Sequence, residues 1–351
     1  MPLLANLRRV RLGAAALAVL ILAIFPWVAS SAYQQHIASF IFLYITLASS
    51  WNIIGGYTGY VSLGHAFFFG VGAYTVAILL RDFPVLIALS EFSPFGLALL
   101  AGVVAAAFGL VIGWIALRIR GPAFVIVTIT LLLTGSLVAH NIEFTGGSYG
   151  ITLPLPSWGK EFFTIPFYYA LLILAGVTVW ASYRIRHSRF GMGLIAIRED
   201  EGKAAMVGID TTLYKVLAFT ISAIFVGTAG GIWVYSRSYI DPDGFINLTI
   251  SGNMIIMTLL GGRGTLWGPV IGATILTLVN QIILANYGTS ELNRAILGLV
   301  LLAVVVIYPE GIMGLLTKGR DMVVERLGQR APATTVERRP VPLESIQELE
   351  D

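Results

Sequence analysis

Ten long apolar runs limit the fold of this chain more than any other feature. A helix needs about 20 mostly apolar residues to cross a bilayer. Only 12% of the 351 residues are charged, about half the roughly 25% of soluble domains. This composition excludes a disordered chain and argues against a soluble enzyme. We expect an all-α polytopic membrane protein with about ten transmembrane helices, at 12–32, 37–54, 65–80, 95–117, 122–140, 165–183, 213–235, 250–262, 266–287 and 294–309.

The basic residues predict the orientation of these helices. If the N-terminus is cytoplasmic, four of the 22 Lys and Arg residues lie outside and the other 18 lie inside. Cytoplasmic loops of membrane proteins are enriched in Lys and Arg. We therefore expect both termini to be cytoplasmic. The four outside residues are Arg81, Lys160, Arg237 and Arg294.

The two ends of the chain differ, because residues 12–32 are apolar and residues 318–351 are polar and charged. Residues 12–32 follow a basic stretch and end in Ser30, Ser31 and Ala32, which also fits a cleavable signal peptide. The run is long for a signal peptide, so we expect a retained helix. Residues 1–317 then form the transmembrane domain. Residues 318–351 are polar and charged and predict a flexible cytoplasmic tail.

Two glycine-rich segments, 55–64 and 261–269, interrupt the apolar pattern in the two halves of the chain. Such backbone is tolerated at membrane depth where it is buried in protein or lines a wet cavity. Matching interruptions in two halves favour an internal repeat and a substrate path. Two ordinary cytoplasmic turns are the alternative. The candidate path residues, each of which could instead have a structural role, are Asn52, Gly56, Tyr57, Ser62, His65 and Gly262.

The sequence offers no catalytic centre. It has no cysteine, no G-x-x-x-x-G-K-[ST] phosphate loop and no histidine pair at metal-site spacing. The predicted spans contain no Asp or Glu, which argues against a proton- or sodium-coupled carrier. We expect no metal, no cofactor and no enzymatic activity in this chain.

The loop 184–212 carries charged and apolar residues in a pattern that predicts one or two short amphipathic helices. Ser188 is the expected N-cap of the first, and Asp200 that of a second helix over 201–207. Ala204, Ala205 and Met206 would form a small outer apolar face beside dense charge, which suits docking to a cytoplasmic partner. A helix lying on the membrane surface is the alternative.

Several segments resemble the LivM-type permease subunits of branched-chain amino acid ABC importers. They spread over about 37–315 and occur in the family's order. They are GGYTGYVSLGHAFFFGVGAY (55–74), GPAFVIVTITLL (121–132), TGGSYGITLP (145–154), FGMGLIAIREDEGKAAMVGID (190–210) and GGRGTLWGPVIGA (261–273).

This resemblance implies a multi-pass subunit of the bacterial inner membrane. It implies a homologous second permease, two cytoplasmic ATPase subunits that bind the ATP, and a periplasmic substrate-binding protein. The family's ATPase-contacting loop motif would fall on Ala196, Ile197, Arg198, Glu199, Glu201, Ala204, Ala205, Gly208 and Ile209. Asp200 stands where Asn is frequent, and Lys203 lies inside the motif.

The resemblance favours branched-chain amino acids as substrate, with urea, amides or aromatic acids as the alternatives within the class. A stand-alone secondary carrier or channel is a second hypothesis, and a membrane-embedded enzyme is a third. Nucleic-acid binding has no support, because the basic residues follow the membrane topology instead of forming one patch.

Overall fold

The computed structural model describes residues 17, 20–29, 31–85, 90–119, 121–154, 158–159, 162–287, 298–299 and 311–314. Its helices are α1 (20–28), α2 (Ala32–Trp51), α3 (His65–Asp82), α4 (Ser93–Ala116), α5 (Ala123–Asn141), α6 (Thr164–Arg186), α7 (Arg189–Glu199), α8 (Glu201–Met206), α9 (Thr211–Arg237), α10 (Pro242–Phe245), α11 (Leu248–Gly261) and α12 (Gly268–Tyr287). A π-helical turn, Asn52–Gly56, continues α2. Two-residue strands β1 (Ile151–Thr152) and β2 (Tyr239–Ile240) pair antiparallel, with Ile151 opposite Ile240. Two 3₁₀ turns, Glu143–Thr145 and Gly147–Tyr149, precede β1.

Seven segments of the described chain are long and apolar enough to cross a membrane. They are Ala32–Gly56, Ser93–Ala116, Ala123–Asn141, Thr164–Arg186, Thr211–Arg237, Pro242–Gly261 and Gly268–Ala285. The expected all-α polytopic fold is thus confirmed, but the count of about ten helices is not.

The three remaining runs explain the difference in count. The run 65–80 forms α3, which includes His65, Arg81 and Asp82 and is not apolar enough over its whole length. Only part of the run 12–32 is described, chiefly as α1. The run 294–309 lies outside the described residues except for 298–299.

Helices α2 and α9 form the centre of the bundle, and α4 and α5 form its surface. The spans of α2 and α9 are mostly buried, whereas most residues of α4 and α5 are exposed or half-buried. Close helix contact depends on small residues. A methyl group at Gly72 of α3 would overlap the carbonyl of Gly227 in α9. Because the exposed side chains of α4 and α5 include many large apolar ones, the surface of these two helices suits contact with lipid.

The first helix packs on α6. The hydroxyls of Tyr168 and Tyr169 donate hydrogen bonds to the carbonyls of Leu22 and Ala23, each at 2.7 Å. This docking fits a retained helix, and retention stays a prediction.

The loop 184–212 forms two helices, α7 and α8, and both predicted N-caps are confirmed. The Ser188 hydroxyl accepts a hydrogen bond from the Gly191 amide (3.1 Å) at the start of α7. The Asp200 carboxylate accepts one from the Lys203 amide (3.0 Å) at the start of α8. These are N-caps, which supply an acceptor to otherwise unpaired helix amides. We call the end of the bundle that carries α7 and α8 the loop end, and the opposite end the far end.

Candidate functional site at the loop end

The two glycine-rich segments lie against each other at the loop end. We call the π-helical turn together with residues 55–64 the first break, and residues 261–269 the second break. The Asn52 side chain, in the π-helical turn, donates a hydrogen bond to the Thr265 carbonyl (2.9 Å). It also accepts one from the Gly264 amide (2.9 Å). Gly262 and Gly264 have φ of 125° and 71°, a region that favours glycine. The second break thus folds as a turn whose backbone is paired by an amide from the first.

Arg263 closes the first break from the other side. Its Nε donates to the Gly55 carbonyl (2.9 Å), and one terminal guanidinium nitrogen donates to the Gly59 carbonyl (2.8 Å). The last carbonyls of a helix lack intrahelical partners. The fork of an arginine can serve two of them at once. Each break therefore supplies polar groups that the backbone of the other requires.

Gly56 sits where the breaks come closest. A methyl group there would overlap the Asn52 side-chain oxygen and lie 2.9 Å from the Gly264 amide nitrogen. We expect Gly56→Ala to push the breaks apart and to destabilise the fold by about 1–3 kcal/mol, as overpacking does. The measurement is the melting temperature of the purified protein in detergent. Gly176→Ala in α6, which meets nothing within 4 Å, is the matched control. Equal melting temperatures for the two variants would contradict this account of the contact.

The helices of the loop hold both breaks through arginines. Arg198, in the last turn of α7, donates to the Gly56 carbonyl (3.2 Å). Arg186, at the end of α6, donates to the Gly264 carbonyl (2.7 Å). A candidate loop residue and a candidate path residue, which the sequence analysis treats separately, are thus in direct contact. A displacement of α7 would pull on the first break through Arg198, and a displacement of the end of α6 would pull on the second break through Arg186.

An ion pair joins α8 to α9. Lys215 of α9 donates to the Glu201 carboxylate (2.8 Å) and to the Tyr60 hydroxyl (3.0 Å). Tyr60 and Thr211 each donate a hydrogen bond to the same carboxylate. The Lys215 ammonium also lies 4.3 Å from the centre of the Tyr60 ring. Its side chain is 1% exposed and that of Glu201 is 15% exposed, so water screens this pair weakly. The cluster links the loop, the first break and a central span.

The partners of Glu201 determine its charge. Burial raises the pKa of this carboxyl, but the hydrogen bonds from Lys215 and Tyr60 and the charge of Lys215 outweigh it. The net result is a pKa below the usual value of a glutamate. Glu201 is therefore ionised at neutral pH, and the cluster holds a true ion pair.

The remaining residues of the loop motif differ in their exposure to solvent. Ile197 and Ala204 are 3% exposed and pack inside the subunit. Glu199, Ala205 and Gly208 are exposed, and Ala196 and Ile209 are half-buried. Ala204 therefore does not belong to the outer apolar face that the sequence suggests for residues 204–206. Large apolar side chains on the exposed side of the loop are Met192, Ile195, Met206 and Val207.

The other path candidates have partners within the subunit. The Tyr57 hydroxyl lies 2.7 Å from that of Ser182. The His65 ring lies between the hydroxyls of Ser62 (3.0 Å) and Ser222 (2.7 Å). Tyr57, Ser62 and His65 are at most 1% exposed. Their role in a path stays a prediction, since in this conformation each joins two helices or breaks.

Three cavities of about 360, 440 and 450 Å³ are described in the structure. None of them is lined by the six path candidates. The cavity nearest the site lies between the first break, α7 and the start of α5. Its wall includes Tyr60, Arg198 and Glu201. This cavity leaves space in which the side chains of Arg198 and Glu201 can rearrange.

Several residues of this site have contacts that the sequence pattern does not indicate. The charge pattern assigns Arg186, Arg263 and Lys215 to the cytoplasmic side, and Gly264 belongs to the second glycine-rich segment, but neither pattern predicts their contacts. The signal for Arg263 is present, because a cation inside a glycine-rich turn has bare carbonyls within reach. Nothing in the sequence pairs Lys215 with Glu201, because that contact depends on how α8 folds back onto α9.

The sequence model of the family described as branched-chain amino acid transport system, permease component, matches residues 34–305. No solved structure matches the chain.

Three curated relatives place the chain among import permeases. It is 28% identical over 326 residues to the high-affinity branched-chain amino acid transport system permease protein LivM of Salmonella typhimurium, covering 85% of this chain and 74% of the relative. It is 24% identical over 287 residues to LivH of Escherichia coli, covering 77% and 91%. It is 27% identical over 218 residues to the autoinducer 2 import system permease protein LsrC of Yersinia pseudotuberculosis, covering 60% and 59%.

Proposed function

This chain belongs to the family of branched-chain amino acid transport system permease components, and we propose that it forms half of the membrane path of an ATP-driven importer. It is a multi-pass permease of the bacterial inner membrane. Relatives named LivM and LivH are both similar to it, which supports a second, homologous permease as its partner. Branched-chain amino acids are the proposed substrate; urea, amides and aromatic acids are the alternatives.

The proposed topology has about ten spans with both termini in the cytoplasm. The charge asymmetry of the loops supports it. The loop end then faces the cytoplasm, and the far end faces the periplasm. In this orientation α7 and α8 meet cytoplasmic ATPase subunits, and the far end receives solute from a periplasmic binding protein.

The coupling mechanism rests on one observation: the loop that would meet the ATPases holds both glycine breaks through Arg186 and Arg198. Closure of the ATPases on ATP moves α7 and α8. The Glu201–Lys215 pair passes that motion to α9, and the two arginines pass it to the breaks. The path, with its candidates Asn52, Gly56, Tyr57, Ser62, His65 and Gly262, then opens to one side at a time.

Energy comes from partner subunits, which bind the ATP. The sequence carries no phosphate loop of its own, and its relatives are permease proteins. A conformational change needs a ligand that discriminates between two states. ATP bound to the partner subunits supplies that discrimination through the loop end.

Co-expression with candidate partners tests the proposal. The complex is purified in nanodiscs, and its ATPase activity is measured with and without binding protein loaded with leucine. We expect an ATPase-containing complex that loaded binding protein stimulates. Stimulation by another solute would change the substrate and keep the importer. A chain that purifies alone and moves solute into liposomes without ATP would establish the rival secondary carrier.

A further inference from the structure

A series of ring contacts ends in a guanidinium at the far end of α2 and α9. The Arg237 guanidinium lies 4.9 Å from the centre of the Trp233 ring. Trp233 lies 5.9 Å from the His36 ring and 5.2 Å from the Phe40 ring, between ring centres. Phe40 meets Tyr44 edge-on at 5.1 Å. The Asn253 amide of α11 donates to the Tyr44 hydroxyl (3.2 Å). We call these residues the far-end cluster: His36, Phe40, Tyr44, Trp233, Arg237 and Asn253.

Arg237 is an exposed cation that has no anionic partner in the part of the chain that the structure describes. Among the described residues, no carboxylate lies within 4 Å of its guanidinium and none accepts a hydrogen bond from it. Arg81, at the same end of the bundle, is different. It pairs with Asp82 at 2.7 Å and donates to the Phe144 carbonyl (2.8 Å). The donors of Arg237 are thus available to a ligand, while those of Arg81 are in use.

The surroundings of Arg237 combine this cation with apolar ring faces. Trp233 and Tyr44 are 7% and 8% exposed, so their rings form a firm wall. Phe40 is half-buried and extends the wall along α2. A planar guanidinium matches a carboxylate with two parallel hydrogen bonds. Adjacent ring faces suit an aliphatic side chain. An α-amino acid with a branched apolar side chain carries both groups.

We propose that the far-end cluster is a carboxylate subsite at the periplasmic mouth of the path. Arg237 binds the α-carboxylate of the solute, and the rings of Phe40, Tyr44 and Trp233 contact its side chain. The cluster lies where α9 and α11 both pack on α2, and α2 and α11 are the helices that lead into the two glycine breaks. This proposal rests on the proposed function, because the orientation and the amino-acid substrate come from it. An anionic phospholipid headgroup offers the same oxygen chemistry. The lipid composition used in the test distinguishes a bound headgroup from the carboxylate of the solute.

The test uses the whole importer complex in nanodiscs and photo-leucine, a diazirine analogue of leucine. After irradiation, peptides that contain Phe40, Tyr44 or Trp233 are expected to carry the label. Excess 4-methylpentanoate, which keeps the carboxylate, competes; 3-methylbutylamine, which lacks it, does not. Arg237→Gln lowers the labelling about tenfold, since a hydrogen bond to a charged group is worth about 1.5–3 kcal/mol. Arg237→Lys keeps the cation and is expected to show an intermediate level of labelling. Arg81→Gln leaves the labelling unchanged.

The lipid composition of the nanodiscs separates the two sources of anion. We expect the same labelling in phosphatidylcholine and in mixtures with phosphatidylglycerol. Labelling that phosphatidylglycerol abolishes and 4-methylpentanoate does not would mean that Arg237 holds a headgroup, and it would overturn the subsite.

ATPase stimulation by loaded binding protein is measured on the same samples and reports on the importer separately. If wild type and Arg237→Gln are both stimulated and label equally, the subsite is wrong and the importer stands. If no solute stimulates the wild type, the importer proposal fails on its own readout.

Discussion

Lys215→Met is expected to lower leucine uptake about tenfold or more in a reconstituted complex that still hydrolyses ATP. The change leaves Glu201 charged and partly buried without its cation. Breaking a buried pair by removing one partner costs about 3–5 kcal/mol. Since that pair joins α8 to α9, α8 would detach from the span before the rest of the fold fails. ATP hydrolysis and leucine uptake are measured on the same proteoliposomes, normalised to the amount of protein inserted.

A double variant provides the control for this prediction. Glu201→Gln alone is expected to act like Lys215→Met, because it strands a lysine that is 1% exposed. Removing both charges avoids any unpaired buried ion. The double variant should therefore recover the melting temperature of the wild type, while uptake recovers only in part. Uptake per ATP that stays at the wild-type value in both single variants would contradict the role of the pair in coupling.

Substitutions at two adjacent alanines of α8 should separate the effect on ATPase docking from the effect on folding. Ala204 is 3% exposed, whereas Ala205 faces away from the subunit. Ala204→Asp places an unpaired carboxylate in the interior, which raises its pKa and destabilises the fold by several kcal/mol. Ala205→Asp leaves the fold intact and places a charge beside the exposed Met206 and Val207. We expect Ala205→Asp to abolish co-purification of the ATPase subunits and with it ATP-driven uptake.

Melting temperature and pull-down distinguish the two variants. Ala205→Asp should melt like the wild type and lose the ATPases, and Ala204→Asp should melt earlier. Ala205→Ser, which keeps the size and adds no charge, is the matched control and should retain the ATPases. ATPase binding that survives Ala205→Asp would place the docking face elsewhere.

The sequence predicts the elements of this fold well where the signal is local. Both N-caps of the loop, Ser188 and Asp200, are confirmed because a capping side chain acts within three residues of its own helix. The apolar runs predict the spans of α2, α4, α5, α6, α9 and α12 to within a few residues. The short run 250–262 is completed by α10, so that Pro242–Gly261 counts as one span, which hydropathy does not reveal.

The arrangement of the site was not predictable in the same way. The two breaks were identified by glycine content, but their contact joins Asn52 to Gly264, 212 positions apart. A single sequence does not pair residues at that distance. The face of Ala204 was missed because α8 has six residues, too few for a periodic pattern. The sequence does not predict the far-end cluster. The charge of Arg237 assigns it to an outside loop but does not show which rings surround it.

The most direct test of the central claim, that α7 and α8 transmit ATP-driven motion to the path, is site-specific cross-linking. The chain has no cysteine, so Met206→Cys introduces a single thiol at a side chain that is 86% exposed. A short thiol-to-amine cross-linker is added to the whole complex in nanodiscs, with Leu137→Cys on the lipid-facing surface of α5 as control. We predict a cross-link from position 206 to an ATPase subunit whose yield changes with ATP, and none from position 137. A complex that takes up leucine with ATP but gives no such cross-link from position 206 would contradict the account.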